Sequence, residues 1–134
     1  MRRILFIEDH DDTRELVKFV LESSGYSVTL ASTVAAGLHL ASNNKFDLCL
    51  IDNWLPDGAG VELCEQIRTF DSHTPVLFYS GAALDSDKLS AMQAGAQGYL
   101  EKPCPFAHLV RTVQSLIAQA DQRVRLPEQH TLVA

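Results

Sequence analysis

Three carboxylates, one hydroxyl and one ammonium stand at matching places in this sequence, each just after or at the end of a short apolar run. Glu8 and Asp9 follow Ile4-Leu5-Phe6-Ile7, and Asp52 follows Leu48-Cys49-Leu50-Ile51. Ser80 closes Val76-Leu77-Phe78-Tyr79, and Lys102 comes just after Gln97-Gly98-Tyr99-Leu100. Carboxylates brought together oppose one another's ionisation, so such a trio calls for a counter-charge. A hard divalent cation provides it, and Mg2+ favours one or two carboxylates plus water, leaving positions for phosphate oxygens. Lys102 adds a second positive charge, Ser80 a hydroxyl donor, and Gly81 and Ala82 leave room for a tetrahedral group. The set suits in-line phosphoryl transfer onto Asp52, a reaction that rests mostly on positioning and charge neutralisation.

These residues converge only if the apolar runs lie side by side. The first, third and fourth runs are apolar at every position, as in strands of a parallel sheet covered on both faces. Tyr26-Val28-Leu30 alternates and reads as an edge strand, and Gln97–Leu100 as the other edge. Helical spacing fills the intervals. Leu16, Val17, Val20 and Leu21 make the first stripe, stopped by Ser23-Ser24-Gly25. The second begins near Thr33 with Val34, Leu38 and Ala41, and the third near Gly58 with Val61, Cys64 and Ile67. The fourth spans about Asp85 to Ala94 and carries Leu89 and Met92. The fifth presents Leu109, Val110, Val113, Leu116 and Ile117, and Pro127 is its latest end. Strand and helix alternating five times predict an α/β, flavodoxin-like (βα)5 doubly wound parallel sheet of order 2-1-3-4-5. Its topological switch point falls between the first and third strands, where ligands of such sheets bind and where the three carboxylates sit.

The 134 residues suffice for one domain, expected over 1–122 with a polar tail over 123–134. A net charge of −6 argues against nucleic acid as a direct partner. Cys49, Cys64 and Cys104 lack ligand spacing and fit a reducing compartment. No apolar run is long enough to span a bilayer, and no signal-peptide pattern opens the chain, so a cytoplasmic location is expected.

Four segments in order resemble the receiver domain of bacterial two-component response regulators, of the chemotaxis-regulator type, over Arg3 to about Gln122. They are Glu8-Asp9, Asp52-Asn53-Trp54-Leu55-Pro56-Asp57-Gly58, Phe78-Tyr79-Ser80-Gly81-Ala82 and Gly98-Tyr99-Leu100-Glu101-Lys102-Pro103. The resemblance implies that Asp52 accepts a phosphoryl group from a sensor histidine kinase or phosphotransfer protein. It implies Mg2+, with Mn2+ as a substitute, held by Asp9, Asp52 and the backbone carbonyl of Trp54, with Glu8 acting through water. Ser80 would bond the phosphoryl group, Lys102 would pair with it, and Tyr99 would turn inward as a switch residue. The face made by the fourth helix, fifth strand and fifth helix would change for an output partner or a homodimer. The Lys102–Pro103 bond would be cis. No membrane contact is implied, and no turnover beyond slow autodephosphorylation.

Two features depart from the pattern: Ser80 stands where threonine is commoner, and Cys104-Pro105 intervenes before Phe106. Trp54, at the rim, is expected to shield the acyl phosphate from water. A haloacid-dehalogenase-type phosphatase would need a second acid two residues after its nucleophile, where this chain has Trp54. A phosphorylation-independent interaction module is the other alternative, against which the intact acid, hydroxyl and lysine set argues.

Overall fold

The computed structural model describes residues 1–81 and 84–125; Ala82 and the segment from 126 onward, with Pro127, lie outside the described residues. The strands are β1 (Arg3–Ile7), β2 (Ser27–Ala31), β3 (Leu48–Ile51), β4 (Trp54–Leu55), β5 (Gly58–Ala59), β6 (Val76–Ser80) and β7 (Gly98–Glu101). The helices are α1 (Asp11–Ser23), α2 (Val34–Asn43), α3 (Gly60–Arg68), α4 (Asp85–Gln93) and α5 (Phe106–Arg125). Five parallel strands form the main sheet in the order β2-β1-β3-β6-β7, which is the expected 2-1-3-4-5 once the small β4–β5 ribbon is set aside.

The wholly apolar runs end up where such runs must. Leu5, Ile7, Cys49, Ile51, Val76 and Phe78 point to one face and pack with Val34, Leu63, Cys64, Ile67 and Ala91 of α2, α3 and α4. Ile4, Phe6, Leu48, Leu50, Leu77 and Tyr79 point to the other and pack with Val17 and Leu21 of α1 and Leu109, Val113, Leu116 and Ile117 of α5. Each fully buried side chain of this size is worth roughly 1.5–3 kcal/mol against exposure. Burial pushes the Cys49 thiol up to about 12 and that of Cys64 to about 11, so both remain neutral core atoms.

Three expectations need correction. The third helix starts at Gly60, not near Gly58, because Gly58 and Ala59 pair antiparallel with Leu55 and Trp54. In α4 only Ala91 is buried, while Leu89 and Met92 face outward, so the apolar pair does not mark the packed side. Leu16 of α1 is likewise exposed. The last helix runs from Phe106 to Arg125.

Candidate functional site

Strand register brings the polar residues to one edge. Ile7 lies opposite Ile51, so Glu8 and Asp52 leave the sheet level with each other, and the Asp52 N–H donates to the Ile7 carbonyl at 3.0 Å. Ser80 lies opposite Glu101, and the Lys102 N–H donates to the Ser80 carbonyl at 3.0 Å. The carboxylates of Glu8, Asp9 and Asp52 each offer one oxygen within 4.8 Å of the others. This is the predicted trio, with Asp9 exposed and the other two buried. An all-oxygen, anionic donor set suits a hard cation such as Mg2+.

Glu8, expected to act through water, is the most enclosed of the three, at 1 % exposure. Its carboxylate is paired directly with the Lys102 ammonium, which also stands 3.8 Å from Asp52 Oδ2 and 5.3 Å from the centre of the Tyr79 ring. Burial raises the Glu8 pKa; Lys102 pulls it back, and the neighbouring Asp52 charge pushes it up again. The Lys102–Pro103 peptide is cis, as the resemblance implies.

Ser80 is fully buried at the end of β6. Tyr99 on β7 is half-buried, its ring stacked on Phe78 with centroids 5.6 Å apart and planes 1° from parallel. Burial raises its phenol pKa, opposed by hydrogen bonding with Ser80 and Asn53. Trp54 is 64 % exposed, and its backbone N–H lies 3.5 Å from Asp52 Oδ1.

Sequence reasoning did not assign three supporting residues. Asn53 is buried beside Asp52 and accepts from the Val61 N–H at 3.3 Å, serving the start of α3 where Ala59 offers no side-chain oxygen. Asp57 accepts from the N–H groups of Val34 and Ala35 at 2.7 and 3.0 Å, capping α2 from a different loop. His10 precedes α1 and accepts from the Thr13 N–H at 3.3 Å. Only His10 carries a readable signal, a polar residue just ahead of Asp11 and Asp12. Gly60 is required for a different reason: a Cβ there would lie 2.5 Å from the Asp52 carbonyl oxygen, so α3 could not begin against the acceptor loop with any larger residue.

A doubly wound sheet with an acidic mouth at its switch point defines a class, and relatives narrow it. The family model of the response regulator receiver domain matches residues 4–114. The KDP operon transcriptional regulatory protein KdpE of Escherichia coli is 39 % identical over 109 residues, covering 81 % of this chain and 48 % of that protein. The transcriptional regulatory protein CseB of Streptomyces avermitilis is 35 % identical, with 85 % of this chain and 48 % of that one covered. The chain thus spans about half the length of these curated relatives. Among solved structures, a CheY-like receiver domain protein from Methanospirillum hungatei superposes with a TM-score of 0.89 at 28 % identity, covering 92 % of this chain and 98 % of that one. The receiver domain of sensor histidine kinase PA1611 from Pseudomonas aeruginosa, described with a magnesium ion coordinated in its active-site cleft, gives 0.82 at 30 % identity, covering 87 % and 98 %. The chain belongs to the response regulator receiver domain family of two-component signalling.

Proposed function

We propose that this domain is a phosphoryl-accepting switch in which Asp52 takes the phosphoryl group from a phosphohistidine of a sensor kinase or phosphotransfer protein. The observation that carries the reading is the convergence of Glu8, Asp9 and Asp52 beside Lys102 at the carboxyl edge of the sheet. An Asp52 carboxylate oxygen forms the new bond to phosphorus as the phosphorus–nitrogen bond breaks, its electron pair going to the imidazole. Asp9, Asp52 and the Trp54 carbonyl would hold Mg2+, or Mn2+ in its place, with Glu8 contributing through water. Bound there, the cation would neutralise charge on the transferred group. The magnesium described in the PA1611 receiver supports this assignment.

Lys102 contacts both Glu8 and Asp52, and from there it would pair with a phosphoryl oxygen on Asp52. Ser80 would donate to another of those oxygens. Drawing Ser80 toward phosphate would alter its interaction with Tyr99, and with it the face formed by α4, β7 and α5. That face would bind an output partner or a second copy of the chain. The domain itself acts as a switch, without turnover beyond slow loss of its own phosphoryl group, in the cytoplasm. The transcriptional-regulator names of the relatives support an output of that kind in the whole protein.

The test is intact-mass spectrometry after incubation with Mg2+ and acetyl phosphate, with Asp52→Asn alongside. A Mg2+-dependent gain of one phosphoryl group, absent from the variant, is the expected result. No gain by the unaltered protein would turn the reading toward a phosphorylation-independent interaction module.

A further inference from the structure

Arg14 lies in the first turns of α1, only 18 % exposed at its side chain, and turns back over the start of its own helix. Its Nη1 donates to the Glu8 carbonyl at 3.0 Å and to the Asp9 carbonyl at 3.4 Å, while Nη2 is paired with the Asp11 carboxylate. The Arg14 N–H itself donates to the His10 carbonyl at 2.9 Å, opening the helix. One guanidinium therefore grips two successive carbonyls between strand and helix and ties them to the first residue of α1.

Those carbonyls belong to the two acids that reach Asp52. Fixing the peptide planes on either side of Asp9 fixes the directions in which the Glu8 and Asp9 side chains leave the backbone. Asp9 has most need of this, because it is exposed and no core packing holds it. Glu8 has a second anchor in Lys102. The rigid fork of a guanidinium can span two carbonyls and a carboxylate at once. Lysine has the charge but carries its donors on a single nitrogen, which cannot bridge the three in the same way.

We infer that Arg14 is a positioning residue for the cation site, holding the loop between β1 and α1 in the shape that aims Asp9 and Glu8 at Asp52. The inference rests on the metal-binding reading of that site. Groups that orient metal ligands commonly affect affinity by 10- to 100-fold.

The experiment titrates the full chain with Mg2+ alone, following the fluorescence of Trp54, the only tryptophan, in the unaltered protein, Arg14→Lys, Arg14→Gln and Glu15→Gln. Both Arg14 variants are expected to bind Mg2+ roughly tenfold more weakly. Glu15→Gln, an exposed neighbour on the same helix, is expected to match the unaltered protein. Acetyl phosphate supplies a second readout: half-maximal phosphorylation should need about tenfold more Mg2+, while the rate at saturating Mg2+ stays within about twofold. A general loss of structure would lower the saturating rate as well, and that result overturns the assignment. Arg14→Lys binding Mg2+ as well as the unaltered protein would also overturn it, by showing that charge alone suffices. Failure of the unaltered protein to bind Mg2+ would instead remove the metal-binding reading itself, and the positioning role with it.

Discussion

Glu8 is a buried carboxyl paired with the Lys102 ammonium and accepting from the His10 N–H at 3.3 Å, and its titration sets the protein apart from one with ordinary surface acids. Burial raises its pKa above the usual 4.5, with Lys102 opposing and Asp52 adding to the shift. Only between 4.5 and that raised value does the folded state hold a proton on Glu8 that the unfolded chain has lost, so metal-free protein gains stability as pH falls through the raised value toward 4.5. Asp57 and Asp71 act in the opposite sense in a lower window. The backbone N–H groups of Val34 and Ala35 hold Asp57 below its ordinary value. Burial raises Asp71, but bonds from Thr74 and His73 outweigh it and leave its pKa lowered. Both contributions are present above the ordinary 3.8 and are lost as pH falls through the folded values. Thermal melts in EDTA should accordingly peak at mildly acidic pH, and Glu8→Gln should remove the rise on the alkaline side of that peak. A profile unchanged in the variant would show that Glu8 does not shape it. Trp54 is 64 % exposed and its backbone N–H lies 3.5 Å from Asp52 Oδ1, so Trp54→Ala is expected to speed loss of the acyl phosphate several-fold, followed as decay of the phosphorylated mass after donor is removed. An unchanged lifetime would mean that the indole excludes no water.

Between elements, Arg68 at the end of α3 connects more of the chain than any sequence signal suggests. Its guanidinium donates to the carbonyls of Asp71, Thr74 and Gly95 and to the side chain of Gln97, at 2.8–3.1 Å. Gly95 holds φ at +109°, and a Cβ there would meet Arg68 at 2.9 Å, so the two residues fit only together. Arg68→Ala should lower unfolding free energy by about 2–3 kcal/mol in urea titrations, since hydrogen bonds to charged groups are worth about 1.5–3 kcal/mol. Arg68→Lys should recover less than half of that, and full recovery would reduce the role to charge. Such long-range polar contacts explain what the sequence left unread. Ile4–Ile7, Leu48–Ile51 and Val76–Tyr79 announce buried parallel strands because every residue is apolar, and the polar residues after them announce the site by chain order alone. Asp57 and Arg68 give no such sign, because their partners lie 23 and up to 29 residues away. Nor do two-residue strands such as Trp54–Leu55 have room to show a period. In α4, Leu89 and Met92 mislead because the packing there rests on small Ala91.

Across the whole molecule, burial is deep in the central strands and slight at α4. β1, β3 and β6 are buried on both faces, whereas α4 contributes one buried residue and leaves Leu84, Leu89 and Met92 exposed. An ion pair between Lys88 and Glu101 joins it to β7. Hydrogen exchange should be slowest in the three central strands. Adding Mg2+ and beryllofluoride, which mimics an aspartyl phosphate, should change exchange in α4 and β7 while leaving β2 as it was. A change confined to the acidic loops would contradict transmission to α4 and β7. The Phe78–Tyr99 stack provides an independent gauge of the same shift. Each ring lies within the magnetic shielding of the other, so their proton resonances are displaced as long as the plates stay parallel. If Tyr99 turns inward on phosphorylation, as the switch reading requires, and exchanges quickly with the stacked arrangement, the chemical shifts of a phenylalanine that never leaves the core become a continuous readout of how often its partner moves.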